Sequence, residues 1–349
     1  MKRTILFLNL IALISFTSCS DNDENSETID PNASLYSAVL TDVSLDVITA
    51  TYNQLYTNAG TLKTAVENLT VGDEAQLQAV KDGWAATRAP WEESEGFLYG
   101  PVDTDGIDPA IDSWPVNVND INNILDSGNA ITSGSLESNN EARGFHTIEY
   151  FVWGLDGNKA AADLTAREIE YLTAATENLE AQTQDLYYGW LASQGNFAAN
   201  FINAGTTASI YKSQKGALQE IVEGLTIIAD EVANGKIEEP LNGNNGGAKP
   251  EAEESRFSNN SRSIQNIYLG DFNGVSGKGL TDIVTLTNST LDTALKTAIS
   301  EAIAAIEAIP GTFTDAIENN RTAAENAQAK VAALKAILET SLEPFVTSL

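Results

Sequence analysis

The chain has 349 residues, with 19 Lys and Arg against 49 Asp and Glu, one His and one Cys, for a formal net charge of −30 at pH 7. A charge this negative excludes a general nucleic-acid binder, which clusters Lys and Arg against phosphate, and docking on anionic lipid through a basic patch. One Cys leaves no internal disulfide framework and no multi-Cys zinc or iron–sulfur site, one His leaves no metal motif that needs two, and 42% hydrophobic residues suffice for a packed core.

Residues 1–18 read as an export signal. Lys2 and Arg3 form a positive start, and Ile5 to Phe16 is an apolar run too short to span a bilayer comfortably. The run ends in Phe16-Thr17-Ser18-Cys19, which resembles a bacterial lipoprotein box. The Cys19 thiol is then the expected site of a diacylglycerol anchor; the alternative is an ordinary secreted protein with a stray Cys. Residues 19–32 carry the acidic run from Asp21 to Glu27 and almost no apolar side chains, as expected of a disordered tether. An acidic run behind a lipidated Cys resembles the surface-export signal of lipoproteins from the Bacteroidetes; the other reading is a solvated spacer facing the periplasm. The expected location is the outer membrane, at the cell surface, with membrane contact through the lipid anchor alone.

From residue 33 onward apolar residues recur at helical spacing. A helix beginning near Asp73 places Arg88, Glu92 and Glu95 at i, i+4 and i+7 on one face, flanked by Trp84 and Trp91, with Pro90 as a kink. Residues 100–115 hold Pro101, Gly106, Pro109 and Pro115 and read as a loop rich in carboxylates, and residues 128–134 as a turn. His146 and Glu149 share a helical face at i, i+3. A boundary near 157–165 divides an N-terminal helical domain, 33–160, from a C-terminal bundle, 161–349. The second part opens with the stripe Ile169, Leu172, Thr176, Leu179, Thr183, Leu186, Trp190. A further stripe runs through Ala217, Ile221, Leu225, Ile228 and Val232, an irregular stretch covers 241–261, and helices are expected over 282–309 and 315–349. Alternating β-branched runs are scarce, so no sizeable sheet is expected. The fold class is all-α, as two packed helical bundle domains.

The chemistry-bearing residues are few. An imidazole and a carboxylate at i, i+3 can share one metal ion or form a proton pair; the bland reading is a helix-surface pair. Arg88 with Glu92 and Glu95 is, blandly, a surface ladder, but the neighbouring Trp residues suggest burial, and a buried Arg needs carboxylate partners. A serine nucleophile at Ser258 would lack a strand–turn–helix elbow.

Gly144-Phe145-His146-Thr147-Ile148-Glu149 resembles the Gly-x-His-x-x-Glu signature of the imelysin (insulin-cleaving membrane protease) family. The stretch from Trp84 through Arg88, Trp91, Glu92, Glu95 and Phe97, then Tyr99-Gly100-Pro101 and Trp114-Pro115, resembles it too, as do Glu254-Ser255-Arg256-Phe257-Ser258 and Asn266-Ile267-Tyr268-Leu269-Gly270. The resemblance implies an all-helical, two-domain fold with a cleft between the bundles, related to the metal-binding domain of periplasmic iron-uptake lipoproteins. It implies metal candidates His146, Glu149, Glu92, Glu95 and Asp112, with Arg88, Trp91, Arg256 and Ser258 around the cleft. The metal would be iron, with copper, zinc or calcium as alternatives, since one imidazole with carboxylates is a hard, oxygen-rich donor set.

Three readings of function follow. In the first, the protein binds a metal ion or an iron-bearing ligand, alongside envelope uptake components. In the second it is a metal-dependent peptidase working through His146 and Glu149. In the third it is a non-catalytic envelope scaffold.

Overall fold

The computed structural model describes residues 30–155, 157–243 and 257–349. Cys19, the export signal, the acidic run and Arg256 lie outside the described residues, as does most of the irregular stretch 241–261.

The first long helix is α1 (Ala33–Asp42), which passes through a π-helical segment, Val43–Thr49, into α2 (Ala50–Glu67). The continuous Ala33–Glu67 helix is long and apolar enough to cross a membrane, yet Val39, Leu40, Val47, Leu55, Leu62 and Val66 lie in the protein core. Next comes α3 (Glu74–Glu92), whose start is fixed by Asp73: its carboxylate accepts the N–H groups of Ala75 and Gln76 at 3.0 Å. The helix keeps Pro90 within it and ends at Glu92, and Glu95 sits in a separate 3₁₀ turn, Glu95–Phe97. The expected single face of Arg88, Glu92 and Glu95 is therefore broken at its last member.

Residues 100–115 are not a plain loop. Short helices Pro101–Thr104 and Ile107–Ile111 occupy it, the first with Pro at its opening position, where a missing N–H costs nothing. Then follow α4 (Gly144–Trp153) and α5 (Ala166–Trp190). Thr165 and Glu168 close a reciprocal cap at the start of α5, with each side chain bonded to the other's backbone N–H. The α5 stripe is buried from Leu172 to Trp190. Its two threonines turn their hydroxyls back to carbonyls one turn earlier, at 2.9 Å each.

The remaining long helices are α6 (Gln214–Asp230), α7 (Phe257–Leu269), α8 (Ser289–Glu307) and α9 (Arg321–Ile337), with a π-helical segment Glu231–Glu238 continuing α6. The helix expected over 282–309 is interrupted at Asn288, whose side chain caps α8 through the Leu291 N–H at 3.0 Å. Among the described residues the sheet is one hairpin, β1 (Asp271–Phe272) against β2 (Val275–Ser276). The fold is all-α.

Helices α2, α3, α4 and α5 pack on one another, and α6, α7, α8 and α9 form a second group. The two groups meet where α7 crosses α3 and where α6 and α7 touch the Glu95–Phe97 turn. The helix α5 begins beyond residue 160 yet packs on α2 and α4, and one continuous buried cluster runs from Tyr36 to Val346. Glu92 and Glu95 lie at the seam between the two groups, and His146 and Glu149, on α4, lie within the first group.

Candidate functional site

The site begins with a close approach of backbones. Gly144 opens α4 at φ +80°, and a Cβ there would come within 2.4 Å of the Ile111 carbonyl oxygen. Only glycine allows this contact and this backbone angle together. The contact sets the end of Ile107–Ile111 against the start of α4, so Asp112 meets His146. The glycine of the Gly-x-His-x-x-Glu run thus has a steric task distinct from the chemistry of the His and the Glu.

His146 is buried, with a carboxylate at each ring nitrogen. Nδ1 lies 3.2 Å from Glu149 Oε2, one turn on, and Nε2 lies 3.1 Å from Asp112 Oδ1. A neutral imidazole has one N–H, so both contacts are donations only when the ring carries two protons. The Trp114 ring stands edge-on to the imidazole at 4.9 Å and is itself partly exposed. The Asp112 side chain is 10% exposed, while that of His146 is 0% exposed. The Asp112–Trp114 segment is therefore the side on which the imidazole lies nearest to solvent.

Asp112 gathers more than histidine. Arg88 Nη1 donates to Oδ1, and the Trp91 indole N–H donates to Oδ2 at 2.7 Å. The other arm of the guanidinium, Nη2, pairs with Glu92 Oε1 at 2.7 Å, and its face lies 5.0 Å from the Phe145 ring centre. The Trp84 indole N–H donates to the Phe145 carbonyl at 3.0 Å and ties α3 to α4.

The network continues across the seam. Lys236 Nζ, from the π-helical segment, lies 2.6 Å from Glu95 Oε2 and 3.4 Å from Glu92 Oε2. The Asn260 amide, from α7, donates to Glu92 Oε2 and, at 2.7 Å, to Glu95 Oε2. An unbroken polar chain thus runs Glu149, His146, Asp112, Arg88, Glu92, Lys236, Glu95.

Its charges shape its acidities. Burial alone would raise the Asp112 carboxyl, but the Arg88 guanidinium and His146 outweigh it and hold that carboxyl well below the usual range. Burial, then the charge on Glu92, pushes Glu95 well above the usual range, against the pull of Lys236. Asp108, on the Ile107–Ile111 helix, is pushed up to about 6, first by burial and then by Asp112.

All five metal candidates belong to this one network, but they do not converge. Asp112 and Glu149 lie at opposite nitrogens of one ring, so a single ion on His146 would reach one of them. Glu92 and Glu95 bond Arg88, Lys236 and Asn260 instead. Among the described residues no three His, Cys, Asp or Glu side chains are grouped so that they could hold one metal ion. A resident metal with three protein ligands does not fit this arrangement. Ser258 is buried on α7, and among the described residues no hydrogen bond joins it to His146. Lys236 and Asn260 escaped the sequence reading.

The comparisons with known proteins agree with this architecture. The imelysin family model matches residues 48–341. A curated relative, iron-regulated protein A of Synechococcus elongatus, is 29% identical over 290 residues, covering 78% of this chain and 76% of the relative. A solved structure from Parabacteroides distasonis, described as an iron-regulated protein A precursor, is 28% identical at a TM-score of 0.77, covering 90% of this chain and 95% of the other. An imelysin-like protein from Psychrobacter arcticum shares the fold at a TM-score of 0.74 and 18% identity, covering 91% and 97%. With the family model spanning most of its length, the chain belongs to the imelysin family.

Proposed function

We propose that this chain serves in iron or metal acquisition as an exported protein, lipid-anchored through Cys19, that binds an iron-bearing ligand at the His146 end of its polar network. The observation that carries the reading is the placement of the imidazole between Asp112 and Glu149, with Asp112 reaching solvent beside Trp114. The iron-regulated name of the Synechococcus elongatus relative supports the iron connection. Because His146 and one carboxylate offer two donors rather than three, a chelate that brings its own donors suits the site better than a bare ion. The net charge of −30 raises the local concentration of cations around the molecule.

A ligand that binds only the folded state raises the melting temperature as its concentration rises. Ferric citrate, and Mn²⁺ as a redox-stable probe, are titrated into wild type and His146→Ala, each compared with its own ligand-free baseline. Wild type is expected to show a saturable upward shift that His146→Ala loses. Wild-type melting that stays flat with both probes removes the proposal.

A further inference from the structure

The Glu92–Glu95 end of the network differs in kind from the His146 end. Four oxygens surround the Lys236 ammonium: Glu95 Oε2 at 2.6 Å, Asn260 Oδ1 at 3.3 Å, Glu92 Oε2 at 3.4 Å and Glu231 Oε1 at 3.5 Å. Carboxylates with an amide carbonyl are the donors that hard cations such as Ca²⁺ and Mn²⁺ take. Here a side chain of the protein fills the centre. The π-helical winding of Glu231–Glu238 helps, since residues five apart are neighbours in such a turn and Glu231 stands beside Lys236.

We propose that Lys236 is a built-in counter-cation that closes the Glu92–Glu95 end of the network to metal ions. The closure has two parts. The ammonium is tethered, so it does not leave by dissociation as an ion would. The Asn260 Nδ2–H groups point at Glu92 and Glu95 and use the lone pairs that an incoming ion would need. Access is not what keeps metal out. A hollow of about 400 Å³ lined by Glu220, Glu223, Glu231, Tyr99 and Ile227 reaches Glu95 from the surface. Cations drawn by that acidic mouth meet a carboxylate pair already neutralised from within. The inference depends on the proposed function only in confining the ligand to the His146 end.

The experiment uses the chain with Lys236→Met, which removes the charge and keeps the bulk. Lys236→Arg keeps a cation, and Lys236→Met/Glu95→Gln removes a donor as well. Each is titrated with Mn²⁺ and Ca²⁺ by calorimetry and by thermal melting. Lys236→Met is expected to melt below wild type and to be restored by Mn²⁺, binding it at least tenfold more tightly than wild type. Lys236→Arg is expected to behave as wild type, and the double variant to lose most of the gain. If Lys236→Met is unfolded as purified, Mn²⁺ is expected to refold it. Lys236→Met that binds Mn²⁺ no better than wild type, or that Mn²⁺ does not refold, overturns the inference. Tight Mn²⁺ binding by Lys236→Met in a protein whose wild type stays flat with both ferric citrate and Mn²⁺ supports the inference while removing the proposed function.

Discussion

Asp112 faces His146 across 3.1 Å while the same carboxylate holds the Arg88 guanidinium and, at 2.7 Å, the Trp91 indole N–H. One side chain thus accepts two buried donors from α3 and stands against the imidazole of α4. Asp112→Ala takes one carboxylate partner from the Arg88 guanidinium, strips the Trp91 indole of its acceptor and removes the carboxylate beside His146 Nε2. Breaking a buried pair from one side costs about 3–5 kcal/mol. Asp112→Asn should cost less, since its amide oxygen still accepts one donor, although it cannot balance the guanidinium. Urea unfolding at pH 7 measures both. The Asp112 carboxyl is held low in the folded state, so its contribution is present above its unfolded value, near 3.8, and is lost as pH falls through the lower folded value. A loss of less than about 1 kcal/mol in Asp112→Ala, against the range for buried pairs, contradicts this account.

The legible parts of the site were those within one helix. His146 with Glu149 and Arg88 with Glu92 follow from i, i+3 and i, i+4 spacing, and the structure pairs both. Glu95 looked like the next step of the same face, but the chain leaves α3 after Glu92, so its position depends on a 3₁₀ turn that periodicity does not encode. Asp112 entered through family likeness, because its place by His146 rests on the Gly144–Ile111 backbone contact, a long-range fact. Lys236 left a faint trace: it follows Val232 by four residues and continues the stripe from Ala217, where a charge is out of pattern. Nothing local marks Asn260. The fold class was legible because stripes on helices such as α5 and α6 depend on burial alone.

Gly144→Ala tests the steric origin of the motif's glycine. The added methyl would sit 2.4 Å from the Ile111 oxygen at a backbone angle L-residues rarely adopt. The left-handed conformation alone costs about 1–2 kcal/mol, and relief of the clash must move Ile111 or the start of α4. A total loss of roughly 2–4 kcal/mol is expected, within the range of severe single substitutions. Near-ultraviolet circular dichroism should also change, because Trp91 and Trp114 both sit on the displaced Asp112 side. A variant with wild-type stability and spectrum contradicts the close approach.

Glu93 gives a pH signature apart from the network. It caps the end of α3, and burial pushes its carboxyl up to about 7, with Arg262 pulling the other way. Between its ordinary 4.5 and about 7 the folded chain holds a proton that the unfolded chain has released. Stability from this group therefore falls as pH rises through that window and is level above it. Glu93→Gln removes the term. It should gain up to roughly 3 kcal/mol over wild type at pH 8, at about 1.4 kcal/mol per pH unit, and little at pH 4. Parallel stability curves for the two proteins from pH 4 to 8 contradict the assignment.

Arg88 is the joint between the two ends of the network, with Nη1 on Asp112 and Nη2 on Glu92. A planar fork spans two carboxylates in a way that a single ammonium cannot, so Arg88→Lys should not be benign here. Arg88→Met leaves the Asp112 and Glu92 carboxylates without the cation they share and should be among the most destabilising changes in the chain. Pairing it with Asp112→Asn removes one positive and one negative charge together and restores the local balance. Residues that share a buried pair are not additive, and couplings of about 0.5–3 kcal/mol are usual. The double variant should therefore be more stable than the sum of its singles by about 2 kcal/mol, at the upper part of that range because both groups are buried. Urea unfolding of the four proteins in the cycle measures this term. Additive losses would mean that Arg88 and Asp112 are neighbours without being partners, and that the chain from Glu149 to Glu95 is two separate clusters.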